Sequence, residues 1–474
     1  MLFSSLSFFV FFPIVFILYW SLFKYRKAQN IVLLLASYVF YGWWDWRFCV
    51  LLLLSSVFGF FMAKNIERSN SQKQRNLLMT LSVIVHVGIL CYFKYFNFFV
   101  SSFVDLANAI GWQLNFIPIK VILPLAISFF TFHILGYTFD VYQGKYKSSN
   151  RFVAFITHIA FFPQLVAGPI ERANHLLPQF EADRKFSLPK LEDGFMQMLW
   201  GFFKKIVIAD GLAMQVNYIF ANYHDLNGIT IALGIIMFTF QMYCDFSGYS
   251  DIALGCARMM GFELLQNFNY PFFSQSISEF WRKWHISLSS WIQDYLFTPI
   301  SFKRRNWGKF GIFYAALVSF TLSGLWHGAN WTFIVWGAFH GLAIGYELLT
   351  KKKRKKVSKK FNPVFYAVAS GIIVFIFWCF TQLIFRAESL HHAWGMLQKL
   401  FTGDWLAKPE ISVTMLLWVV GLLIAEWIQR NKPYALAISN TNFIFKWSVC
   451  AILIMIIFSS KNLNNQTEFL YFQF

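Results

Sequence analysis

The chain has 474 residues, 57% of them hydrophobic and only 13% charged, with 60 Phe, 19 Trp and a mean hydropathy of +0.51. This composition is far from that of an ordinary soluble domain. It excludes a soluble globular enzyme and predicts an all-α polytopic membrane protein. The formal net charge of +19 resides in basic clusters between apolar stretches and no nucleic-acid module fits, so the expected neighbour is membrane lipid and not nucleic acid.

The first apolar run, residues 1–23, has no positively charged n-region and no Ala-x-Ala site; Lys24, Arg26 and Lys27 follow it. It reads as an uncleaved first span with the N-terminus outside. Further apolar segments lie near 30–41, 48–63, 77–103, 119–142, 152–168, 194–222, 228–244, 310–325, 331–349, 362–385, 411–429 and 442–459. A crossing helix needs about 20 apolar residues, and several of these are too short to cross alone. Those around 119–142 and 248–300 are interrupted by Pro, Gly and polar residues, which at membrane depth is tolerated only where backbone is buried in protein or lines a cavity. The expectation is a multi-helix bundle with broken or re-entrant helices around an internal chamber. No repeat or inverted duplication is evident, which weighs against an alternating-access transporter. The six cysteines, Cys49, Cys91, Cys244, Cys256, Cys379 and Cys450, show no CxxC spacing and read as small apolar residues. The last residues, 469–474, are aromatic enough for a membrane interface.

Polar residues within this apolar sequence mark where chemistry is expected. Asp245-Phe-Ser-Gly-Tyr-Ser-Asp251 reads as a helix end followed by a new N-cap; it lacks the companion ligands of a metal site, and no Gly-x-Ser-x-Gly elbow occurs. Glu279, Arg282, His285 and Ser289 recur at three- and four-residue steps, so a continuous helix would carry them on one face, either as a functional surface or as a structural brace. His327 can be placed by counting. Lys303, Arg304, Arg305 and Lys309 precede one apolar leg, Phe310–Leu325, and the run Lys351–Lys360 follows the next. Both basic clusters read as cytoplasmic, so the chain goes in and comes back with His327 at the turn. Gly324, Gly328 and Asn330 supply the irregular backbone of that turn, and Trp326 and Trp331 flank it.

These strings, together with Ser37-Tyr-Val-Phe-Tyr-Gly-Trp-Trp-Asp-Trp46, Phe161-Phe-Pro-Gln-Leu-Val-Ala-Gly-Pro-Ile170, Phe280-Trp-Arg-Lys-Trp-His-Ile-Ser-Leu-Ser289 and Leu322-Ser-Gly-Leu-Trp-His-Gly-Ala-Asn-Trp331, resemble the bacterial membrane-bound O-acyltransferases, most closely the alginate O-acetyltransferase membrane-subunit branch. The likeness runs from Ser37 to about Leu400. It departs at Pro299-Ile-Ser-Phe-Lys-Arg-Arg305, where the family usually has a glycine-rich stretch. The resemblance implies one integral-membrane acyltransferase domain over 1–474, with a core at about 100–400 flanked by membrane helices in 1–100 and 401–474.

The resemblance also implies that His327 is the principal catalytic histidine and His285 the second. It implies acetyl transfer from cytoplasmic acetyl-CoA towards hydroxyls of an extracytoplasmic polysaccharide, an alginate-like exopolysaccharide or peptidoglycan, across the inner membrane of the cell. A separate extracytoplasmic transferase, of SGNH or another type, is the expected partner. No metal and no bound cofactor is expected, because a thioester is already activated and needs a base and oxyanion stabilisation. A desolvated His327 is expected to be neutral and to accept the proton. Trp326 and Asn330, with Glu279, Arg282, Ser289, Asp245 and Asp251, are the expected supporting residues. Lys204, Lys205, Arg304 and Arg305 are candidates for the coenzyme A phosphates, with plain topological anchoring as their alternative. The competing functions are a D-alanyl or longer-acyl transferase of the same fold, and a transporter or flippase.

Overall fold

The computed structural model describes residues 1–439, 441–460, 469 and 470, and among these all regular structure is helical. The chain divides into two compact units, residues 1–188 with 260–264, and residues 189–259 with 265–474. Among the described residues, six helices are long and apolar enough to cross a membrane: Arg47–Arg68, Gln72–Ala109, Gly228–Met259, Lys309–His327, Trp331–Ser358 and Pro363–Arg386.

The first unit contains α1 (Leu6–Ser21), α2 (Arg26–Gly42), α3 (Arg47–Arg68), α4 (Gln72–Leu90), which continues through a π turn at Cys91–Tyr95 into α5 (Phe96–Ala109), and then α6 (Ile127–Tyr142), α7 (Phe152–Ala160), α8 (Phe162–Leu165) and α9 (Ala173–Glu181). Each apolar segment read from the sequence carries a helix. The segment expected to be broken near 119–142 is non-helical up to Ala126, which takes a left-handed φ of 62°, and helical from Ile127 onward. Polar side chains brace this unit where apolar packing alone would leave backbone groups unpaired. Ser37 Oγ accepts the Phe162 amide at 3.0 Å, which ties the first motif string to the second. Buried Arg184 donates to Asn30 Oδ1 at 2.8 Å and Gln29 Oε1 at 3.2 Å.

The second unit begins with α10 (Leu188–Phe202), which runs through a π segment at Phe203–Ala209 into α11 (Asp210–Ala221). Next come α12 (Gly228–Met259), α13 (Ile277–Lys283), α14 (Ile286–Ile292) and, after a π turn at Gln293–Phe297, α15 (Thr298–Lys303). The remaining helices are α16 (Lys309–His327), α17 (Trp331–Ser358), α18 (Pro363–Arg386), α19 (Leu390–Thr402), α20 (Val413–Ile428) and α21 (Phe443–Ser459). The 32-residue α12 is buried along nearly its whole length. It can pack closely on α10 because small residues meet: a Cβ on Gly201 would lie 2.6 Å from the Gly248 carbonyl oxygen, and one on Gly248 2.8 Å from that of Gly201. Close approach through small residues is the usual solution for helices in a solvent that gives no hydrophobic drive.

Candidate functional site

His327 is the last residue of α16, and three residues later Asn330 caps α17 by accepting the Thr332 amide at 3.0 Å. The turn expected from the glycines and asparagine is therefore formed. The leg into it is longer than the apolar count suggested. It starts at Lys309 and spans 19 residues, about 28 Å at about 1.5 Å per residue, close to the full hydrocarbon thickness of about 30 Å. Asn330 is also tied through Nδ2 to the Glu388 carbonyl at 2.9 Å, so its amide serves the turn. The imidazole of His327 is 5% exposed and walled by aromatic rings, with centroids of Trp326 at 4.8 Å, Trp336 at 5.1 Å and Phe385 at 5.6 Å.

His285 occupies a break, and this corrects the expected continuous helix face. α13 ends at Lys283 and α14 starts at Ile286, with His285 between them at φ 43° and ψ 53° in the left-handed region. The cause is pairing with an earlier segment: the Asn269 amide donates to the Lys283 carbonyl and the Ile286 amide to the Asn267 carbonyl, each at 2.9 Å. Those two bonds take groups that a continuous helix would use internally. Glu279 consequently holds Lys283 at 2.8 Å and the Gln275 amide at 2.9 Å, while Arg282 is exposed. Ser289 Oγ donates to the Trp284 carbonyl at 3.2 Å. None of these three extends a polar face from His285.

His285 itself is fully buried, with the Phe246 ring 4.6 Å away edge-on and the Trp326 ring at 6.3 Å. Trp326 thus neighbours both imidazoles. His285 lies outside the six spanning helices, and burial pushes its pKa down to about 3, so it is neutral at ordinary pH.

The short α13 that leads to His285 is held at its start by a residue sequence reasoning missed. Glu347 of α17 accepts the Ile277 amide at 2.9 Å, the Ser278 amide at 2.8 Å and the Ser278 hydroxyl at 2.6 Å. A carboxylate on the free amides of a helix start is well placed for both hydrogen bonding and the helix dipole. Midway along α13, Trp281 Nε1 donates to His340 Nδ1 at 3.2 Å, and His340 Nε2 lies 3.1 Å from Thr381 Oγ1. The Thr381 hydroxyl donates onward to the Trp378 carbonyl at 2.8 Å, so His340 carries its proton on Nε2. A lone Glu and a lone His in the apolar segment 331–349 were the available signals.

The string Asp245–Asp251 does not end a helix; it lies inside α12. Its carboxylates are neutralised by two lysines of the π segment. Lys204 Nζ is 2.6 Å from Asp251 and 2.9 Å from Ser247 Oγ, and Lys205 Nζ is 2.6 Å from Asp245 and 2.8 Å from Asp210. The extra residue of a π turn lets consecutive lysines both face α12. With their charges paired, the aspartates stay in a helix interior where capping chemistry would otherwise favour a break. Lys204 and Lys205 are buried in these pairs, whereas Arg305 is exposed and lies over Phe302, and Arg304 is half-buried and lies over Trp307. Asp245 also accepts the Leu470 amide at 2.8 Å, and Phe469 packs on Tyr249 with centroids 5.0 Å apart. Residues 471–474 of the aromatic terminus lie outside the described residues. Beside this network a small cavity of about 20 Å³ is lined by Lys204, Tyr243, Asp251, Asn267, Tyr270 and Glu426 among others.

Buried imidazoles, aromatic walls and paired charges suit proton transfer to and from a bound hydroxyl and thioester. Residues 149–387 match the membrane-bound O-acyltransferase family. The chain is 39% identical over 432 residues to the probable alginate O-acetylase AlgI of Azotobacter vinelandii, covering 89% of this chain and 84% of the relative. It is 29% identical to the peptidoglycan O-acetyltransferase of Helicobacter pylori, covering 99% and 97%, and 29% identical to the teichoic acid D-alanyltransferase of Bacillus subtilis, covering 58% and 71%. These matches set aside the transporter alternative. With both buried histidines inside the matched region, the chain belongs to the membrane-bound O-acyltransferase family and is a multi-pass membrane acyltransferase.

Proposed function

We propose that the protein takes an acetyl group from acetyl-CoA at the cytoplasmic face of the inner membrane and passes it towards hydroxyls of an extracytoplasmic polysaccharide, alginate-like or peptidoglycan. A partner transferase, of SGNH or another type, completes the transfer outside, and the N-terminus of the chain faces the same side. The observation that carries this reading is the burial of His327 at the turn between α16 and α17, with Trp326 and then His285 beside it.

In the chemical step the acceptor oxygen attacks the thioester carbonyl carbon. The C–O bond forms, the C–S bond breaks, and the hydroxyl proton passes to His327 and from it to the departing thiolate, so the imidazole ends as it began. Holding both reactants in a site walled by Trp336 and Phe385 is the larger part of the acceleration. The α16–α17 hairpin also supports the direction of entry. Phe313, early in α16, packs against Gly345, late in α17, so Arg304 and Arg305 share an end of the hairpin with Lys351–Lys360, away from His327. Arg304 and Arg305 are the proposed contacts for the coenzyme A phosphates, since Lys204 and Lys205 are engaged by aspartates.

The test is His327→Ala in the natural host, with ester-linked acetyl measured on each envelope polymer. Acetylation of one polymer should disappear while the amount of protein in the membrane stays normal; undiminished acetyl sinks the reading. The likeness to a D-alanyltransferase over 58% of the chain supports one second reading, D-alanyl transfer, which labelled D-alanine in place of labelled acetate on the polymer would identify.

A further inference from the structure

The segment that breaks the helix at His285 also grips its side chain. Asn267 Oδ1 accepts from the Ser287 hydroxyl at 2.6 Å, from the Ser287 amide at 3.3 Å and, in a long hydrogen bond, from His285 Nδ1 at 3.4 Å. Asn267 Nδ2 donates to Ser250 Oγ at 3.3 Å. The orientation of the carboxamide is fixed by the network: a backbone amide can only donate, so the atom facing Ser287 is the oxygen. The same oxygen faces His285, so Nδ1 carries the hydrogen and Nε2 carries the lone pair. The Asn267 carbonyl also receives the Ile286 amide, so this one residue holds both the ring and the left-handed backbone beneath it.

We propose that Asn267 is a positioning residue for acyl transfer: it locks His285 in the tautomer with hydrogen on Nδ1, so that Nε2 meets the reacting groups as a hydrogen-bond acceptor. In this arrangement His285 orients or receives a proton-bearing group, the acceptor hydroxyl or the imidazole that has taken its proton, and does not donate to the oxyanion. The elements packed on His285 present Phe246 of α12 and Trp326 of α16. The acidic groups of α12 are Asp245 and Asp251, paired with Lys205 and Lys204; α12 also carries Tyr243, bonded to Glu426, with Cys244, Tyr249, Cys256 and Arg258, the last paired with Asp193, and α16 carries Lys309, Tyr314 and His327. An acidic group introduced at 267 is therefore the direct electrostatic probe of the ring.

The inference rests on the acyl-transfer reading, and the assay separates the two. Membrane vesicles from the natural host, carrying the full chain as its single copy, are given radiolabelled acetyl-CoA, and label in polymer is followed against pH. Absence of label with the wild-type chain would count against the reading itself. Asn267→Asp keeps the accepting oxygen and adds a charge, and should move the acid limb of the rate profile up by about one to three pH units with KM for acetyl-CoA unchanged. Asn267→Leu, similar in size but unable to accept, should lose about tenfold or more in kcat at normal membrane levels, again with KM unchanged. An Asn267→Asp profile that overlays the wild type, an Asn267→Asp protein inactive at every pH despite normal insertion, or an Asn267→Leu protein at full rate would each overturn the inference.

Discussion

Gly324 of α16 and Gly337 of α17 lie face to face: a Cβ on either would stand 3.1 Å from the Cα of the other. A Cβ on Gly324 would also collide with the Phe333 carbonyl, and one on Gly337 with that of Phe320. This contact sets the spacing of the hairpin that ends at His327. Alanine at either position forces the helices apart, with a cost of about 1–3 kcal/mol as for other overpacked sites. Thermal unfolding of Gly324→Ala and Gly337→Ala in detergent should show that loss, and acyl transfer should fall with it because the turn moves. Unchanged melting in both variants would mean that the helices are not held at this distance.

Glu347 acts at a distance from the histidines through α13. Glu347→Ala leaves the Ile277 and Ser278 amides unpaired at the helix start, a loss of about 0.5–2 kcal/mol by analogy with other caps. Since α13 feeds into the His285 break, the expected result is a larger fall in kcat than in stability, with Glu347→Gln intermediate because its oxygen can still accept one amide. Equal activity in all three proteins would show that α13 is positioned by its other contacts.

Lys205 faces two carboxylates, Asp210 and Asp245, with all three side chains no more than 6% exposed. Lys205→Met strands two buried negative charges and should destabilise by about 3–5 kcal/mol. Adding Asp210→Asn and Asp245→Asn to that variant removes the stranded charges and should recover most of the loss. Failure of the triple variant to recover, measured by yield of folded protein in detergent, would assign Lys205 a role beyond charge balance.

The helices were readable because apolar length is a local signal. The turn at His327 was readable as well, since Gly328 and Asn330 announce it in the sequence and Asn330 does cap α17. The break at His285 was not, because the partner that ends α13 is the segment Asn267–Asn269, and nothing between Glu279 and Ser289 encodes that pairing. Asp245–Asp251 misled for the opposite reason. Its local chemistry favours a helix end, and lysines supplied by a different helix overrule it. Glu347 and Asn267 went unremarked because each is a single polar residue whose meaning depends wholly on what folds against it.

The left-handed backbone at His285 has a consequence for how this sequence can drift. A non-glycine residue in that conformation costs about 1–2 kcal/mol, and glycine would relieve it. On the proposed role of His285, fold and reaction want different residues at this position. A copy of this chain released from its catalytic duty would be free to shed that strain, and position 285 is where the loss of duty would first be written.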